Sequence, residues 1–278
     1  MRRRQNPPLQ FCVVLQEADF CAVPDDTALA AVYADKMSTM PFFDDSQLTR
    51  VLCVVAHPDD MEYGGSAAVA RWTAMGVKVS YLLLTAGEAG MRSVEPERAA
   101  QLRIDEQRNA CREVGVEGLT VLNLPDGMLQ GDLDTRRQIA RQIRKLQPDL
   151  VFAQPWDLYV EWGLNHADHR AAGIATVDAI RDADNPWVFR DLLEDEGLEP
   201  WGVRWLLVAS ADADHVIDIS GEPLERAIRS LQAHQAYLEE LGDHPDPREL
   251  LEGMTTGAAQ HSDEPSVTHA LAVAAFRM

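Results

Sequence analysis

The chain has 278 residues, 46% hydrophobic and 25% charged, the proportions of a globular protein with a sizeable core. Asp+Glu 45 against Lys+Arg 25 leaves a net charge of −20. That balance argues against a nucleic-acid or anionic-membrane surface, where Lys and Arg must neutralise phosphate.

The cysteines Cys12, Cys21, Cys53 and Cys111 show no CxxC spacing and read as reduced, small hydrophobes. No run approaches the roughly 18 apolar residues of a membrane span. The apolar piece after the opening MRRR is too short for a secretory signal, so a cytoplasmic protein is expected. Residues 1–45 lack a clear period and hold Pro7, Pro8, Pro24 and the pairs Asp25-Asp26 and Asp44-Asp45. They read as an N-terminal extension, partly disordered, ahead of a catalytic domain over 46–278.

From Val51 a regular alternation begins. Val51 to Ala56 is an uninterrupted, mostly β-branched apolar run, the pattern of a strand buried on both faces. A helix at about 64–75 follows, then a strand at Val79 to Thr85 and a long helix at 96–114. Next come a strand at Leu119 to Leu124, a helix at 133–147 and a strand at Leu150 to Gln154. A helix at 168–182 precedes strands at Val203 to Ala209 and Val216 to Ile219, and Glu222 to Leu241 is the last helix. The end, Val267 to Phe276, is apolar enough to dock. Strands separated by helices imply an α/β fold: a Rossmann-like, mostly parallel sheet flanked by helices, with right-handed crossovers.

In such sheets ligands bind beyond the carboxyl ends of the strands. The loops there carry His57 to Asp60, Gly87-Glu88, Pro125 to Gly127, and Trp156 to His169. Three of the chain's eight histidines fall in the first and last of them. Two histidines three apart, His166 and His169, share one helix face and reach a common ion. HxxD after one strand and HxxH after another point to a metal site, because imidazole and carboxylate are both good Zn²⁺ ligands. A nucleotide-binding Rossmann protein would instead place GxGxxG after its first strand, where this chain has HPDDMEYGG.

HPDD after the first strand, together with HADHR at 166–170, resembles the PIG-L or LmbE-like family of zinc-dependent N-deacetylases. That family acts mainly on N-acetylglucosamine derivatives and includes the mycothiol-pathway deacetylase and amidase. The resemblance runs from about Val51 to Leu241. It implies that His57, Asp60 and His169 bind the metal, that Asp59 is the general base and that His166 is a second catalytic histidine. It further implies that Asp168 orients an imidazole, while Arg103, Asp126 and Glu88 meet the substrate. Each has a plainer reading: a helix cap for Asp59, a pair with Glu106 for Arg103, a turn for Asp126. Trp156, Tyr159 and Trp162 either stack on a sugar face or form a local packing core.

The chain departs from the family pattern at Met61, where Glu is common, and at Ala167, where proline is frequent. His234 and Gln235 match the family's C-terminal element only loosely, and a helix-face histidine is more often structural. The expected activity is metal-dependent removal of an N-acetyl group from a small amino-sugar conjugate. Zn²⁺ is the expected ion, with Fe²⁺ or another divalent metal also compatible. The alternatives are an amidase cleaving a larger acyl group, and a non-catalytic metal-dependent sugar-binding module that would not need Asp59. The sequence leaves open whether the chain forms a homo-oligomer.

Overall fold

A computed structural model of the protein describes residues 39–160, 163–210 and 212–278. Residues 1–38 of the expected extension, and Trp162, lie outside the described residues. Residues 39–45, also expected in the extension, belong to the packed body. Phe42 bridges to Val216, Phe43 is buried, and Asp45 accepts from Arg71 Nε (2.8 Å) and Trp72 Nε1 (3.2 Å).

The first strand, β1 (Arg50–Val55), is buried along almost its whole length. Side chains of a strand alternate between faces, so β1 feeds two cores at once. Val51, Cys53 and Val55 enter one, and Leu52, Val54 and Ala56 the other. Helix α1 (Asp60–Gly64) and helix α2 (Ser66–Ala74) follow, then β2 (Lys78–Leu83), α3 (Pro96–Val114) and β3 (Gly118–Val121). Helix α4 (Leu133–Leu146) leads to β4 (Leu150–Ala153), and a two-stranded hairpin, β5 (Tyr159–Val160) and β6 (Gly163–Leu164), precedes α5 (Ala167–Asp184). The short α6 (Arg190–Glu194) comes before β7 (Trp205–Val208) and β8 (His215–Asp218). The chain ends with α7 (Glu222–Gln232), α8 (Gln235–Leu241), α9 (Pro247–Ala259) and β9 (Ala270–Arg277).

The sheet runs β3-β2-β1-β4-β7-β9-β8. β3, β2, β1, β4 and β7 are parallel, as the alternation of strands and helices implied. Trp72, Cys111 and Leu231 of α2, α3 and α7 cover one face, while Ile139, Ile143, Ala172 and Ala179 of α4 and α5 cover the other. After β1 the chain builds outward through β2 and β3, then returns to β4 on the opposite side. The strand order therefore reverses between β1 and β4, which opens a crevice beyond their carboxyl ends.

Three elements differ from expectation, the first two through contacts distant in sequence. The docking tail is a full strand: β9 runs antiparallel between β7 and β8, which only a non-local pairing could specify. The helix expected over 222–241 breaks at Ala233 and His234, where His234 turns fully inward. Helix α9 opens on Pro247 behind Asp246, whose carboxylate accepts from Arg248 N and Glu249 N, a proline-and-cap start beyond what was expected to be the last helix. No helix among the described residues is long and apolar enough to cross a membrane.

Candidate active site

The two histidine-bearing stretches meet at the crevice. β1 delivers the His57 turn and the start of α5 delivers His166 and His169. The His57 backbone N–H donates to Asp60 Oδ2 at 2.6 Å and closes the HPDD turn on itself. His57 Nδ1 then lies 3.5 Å from Asp60 Oδ2, and His169 Nε2 lies 3.1 Å from Asp60 Oδ1. Donor atoms of His57, Asp60 and His169 all fall within 4.8 Å of one another. The rings of His57, His166 and His169 stand 5.2 to 5.4 Å apart, centroid to centroid.

The far side of His57 is equally determined. Its Nε2 lies 3.0 Å from Asp126 Oδ1 and 3.3 Å from Asp168 Oδ2. Two carboxylates there hold a proton on Nε2, which leaves Nδ1, on the Asp60 side, as the nitrogen open to a cation, the carboxylate-backed arrangement of a metal-binding histidine. Asp168 also accepts from Gly127 N (2.7 Å) and Leu129 N (3.2 Å), so one side chain joins α5, the loop after β3 and His57. A second donor group, His57, His166 and Asp168, is equally compact. In it both Asp168 oxygens already accept backbone N–H groups, and His166 Nδ1 accepts from Asp168 N at 3.3 Å. In the first group Asp60 accepts a backbone N–H only on Oδ2 among the described residues, which leaves Oδ1 free of one.

Charge tells the same story. Burial opposes an imidazolium at His57, but Asp60, then Asp126 and Asp168, outweigh it and push the pKa up to about 12. Burial would raise Asp60, yet His169 and His57 hold it well below the usual carboxylate range. A cluster that keeps a proton on an imidazole at neutral pH is short of positive charge, and a divalent cation fits such a donor set.

Asp59 is buried, stands at the N-cap of α1, and has φ 86. Its carboxylate makes no capping hydrogen bond. Instead Oδ1 accepts from Arg103 Nη2 at 2.8 Å. Burial raises Asp59 to about 6, against the lowering pull of Arg103 and with Asp60 adding to the rise. Arg103 is therefore not a surface partner of Glu106. It is 2% exposed, donates also to Pro58 O (2.7 Å) and Gly87 O (3.1 Å), and lies 3.9 Å over the Tyr237 ring.

Asp126, expected on a sugar hydroxyl, places one oxygen on His57 and the other on Ala89 N at 2.7 Å. Both of its oxygens thus have partners within the protein. Glu88 accepts from Asp126 N at 2.9 Å and braces the same loop. Trp156 packs against Phe276 with ring centroids 6.0 Å apart, whereas Tyr159 on the β5–β6 hairpin is exposed. His166 is exposed at the mouth of the crevice.

A model of the PIG-L family, described as GlcNAc-PI de-N-acetylase, matches residues 52–180, the span that holds every one of these ligating and catalytic candidates. The diacetylchitobiose deacetylase of Thermococcus kodakarensis is 30% identical over 205 residues, covering 72% of this chain and 73% of that protein. The chain belongs to the PIG-L family. A probable N-acetyl-alpha-D-glucosaminyl L-malate deacetylase 2 of Bacillus subtilis is 28% identical, covering 68% and 83% of the two chains. Among solved structures, the N,N'-diacetylchitobiose deacetylase of Pyrococcus horikoshii shares the fold at TM-score 0.72 and 23% identity, over 93% of this chain and 95% of that one. Two groups at this PIG-L site escaped sequence reasoning: Gln107, one turn after Arg103, and Tyr237. Polar residues in the otherwise apolar buried stripe of α3 were the available signal for the first.

Proposed function

We infer that the protein is a metal-dependent hydrolase that removes an N-acetyl group from an amino-sugar derivative. The observation that carries this reading is the convergence of His57, Asp60 and His169 within 4.8 Å, beside a buried carboxylate, Asp59, that binds Arg103. His57, Asp60 and His169 would hold the ion, and a two-histidine, one-carboxylate set suits Zn²⁺ with a position left for water. When bound, the ion supplies Lewis acidity at the acyl oxygen and lowers the pKa of a coordinated water.

The chain's own residues do the rest. Asp59, more basic than an ordinary carboxylate, takes the proton of the attacking water, and a proton passes to the amine nitrogen as the C–N bond breaks and acetate is released. The His166 Nδ1 accepts from Asp168 N, so its remaining proton sits on Nε2. From the crevice mouth that Nε2–H donates to the acyl oxygen as negative charge develops there. Asp126 and Asp168 hold the His57 ring in its ligating tautomer.

The test is acetate release from a panel of N-acetylglucosamine conjugates, after chelation and after zinc is restored. Release with metal and none without it is expected. Asp59→Asn should lower kcat by about 10²- to 10⁴-fold, the range for loss of a general base, while zinc still binds stoichiometrically. Undiminished turnover in that variant would remove Asp59 from the mechanism, and absence of bound metal would overturn the whole reading.

A further inference from the structure

The left-handed backbone of Asp59 has an anchor of its own. The residue has φ 86 and ψ −21, a conformation that costs an L-residue free energy unless its surroundings fix it. Its backbone N–H donates to Gln107 Oε1 at 2.9 Å in a fully buried contact. The other end of the same amide, Gln107 Nε2, lies 3.4 Å from both oxygens of Glu62. Asp59 N–H can only donate, and the Glu62 carboxylate can only accept, so the pair allows a single orientation of the glutamine amide.

Glu62 is itself held. It is 1% exposed, accepts from Ser230 Oγ at 2.9 Å, and faces His234 Nε2 at 3.5 Å. Arg103 and Gln107 stand one turn apart on α3, on the same helix face. That single turn grips both halves of Asp59: Arg103 binds the carboxylate, Gln107 the peptide N–H.

We propose that Gln107 is a positioning residue for the reaction, its amide oxygen pinning the Asp59 backbone in the left-handed turn from which the carboxylate serves as base. Gln107 acts only through Asp59, so this rests on the reading of Asp59 given above. Replacement by a group of similar size without the acceptor leaves a buried N–H unpaired and frees the turn to relax. A misplaced base loses rate rather than substrate affinity, since even small displacements of a catalytic group are costly.

The experiment compares Gln107→Leu and Gln107→Met, each alone and in an Asp59→Asn background, using zinc-loaded protein of the full chain. In the otherwise native protein kcat should fall about 10- to 100-fold, with KM changed less than about twofold and zinc still bound stoichiometrically. In the Asp59→Asn background either substitution should change the residual kcat by less than about twofold, because the base it positions is already gone. Equal losses in both backgrounds, or a loss traced to failed zinc binding in both variants, would overturn the positioning role. Wild-type kcat in both Gln107 variants would do the same. Full activity in Asp59→Asn alone would instead strike at the assignment of Asp59, so the two failures are distinct.

Discussion

Burial and Arg103 pull the Asp59 carboxyl in opposite directions, burial raising its pKa and the guanidinium lowering it. Arg103→Met removes the lowering influence and leaves burial unopposed. The Asp59 pKa then rises further, and a base that works ionised needs a higher pH to be ready. The acid limb of kcat/KM should therefore move to higher pH, and kcat at neutral pH should fall, while KM stays nearly constant. A rise in KM with an unmoved limb would return Arg103 to the substrate. The metal candidates were legible because HPDD and HADH are contiguous and sit where strands end. The contacts of Arg103 and Asp126 were not, because their partners, Asp59 and His57, are brought to them by the sheet from 44 and 69 residues away.

At the scale of elements, the parallel strands and the helices between them could be read from short apolar runs, most clearly at β1 and β4, which are buried on both faces. β9 could not be recognised as a central strand, because its place depends on β7 and β8 offering two edges of matching register. The loop after β2 shows the same dependence on tertiary structure. Gly87 has φ +67, and a β-carbon there would overlap the Arg103 guanidinium. The crowding follows from what the loop does: it brings the Gly87 carbonyl up to accept from Arg103 Nη1 at 3.1 Å. Gly87→Ala should thus reproduce an Arg103 defect without touching Arg103, with kcat down about 10-fold or more and a strained backbone that lowers Tm by several degrees. Normal turnover in Gly87→Ala would mean that the guanidinium can move aside without consequence for Asp59.

The whole chain carries a net charge of −20, and three of its carboxylates gather around one histidine in the crevice. Asp60, Asp126 and Asp168 surround His57, and their combined field holds a proton on it up to about 12. In the metal-free protein the sign follows directly. A folded pKa raised above the unfolded value near 6.5 contributes stability that is fully present below about pH 6.5 and is lost as pH rises through about 12. Metal binding through Nδ1 requires that same imidazole to be neutral, so the cation replaces the proton rather than joining it. Loading zinc into chelated protein near pH 7.5 should release about one proton, seen by calorimetry as a binding enthalpy that varies with the ionisation enthalpy of the buffer. His57→Gln should abolish that buffer dependence along with most of the affinity. Stoichiometric zinc binding with no proton released would place the ion away from His57, and with it the site proposed at the reversal of strand order between β1 and β4.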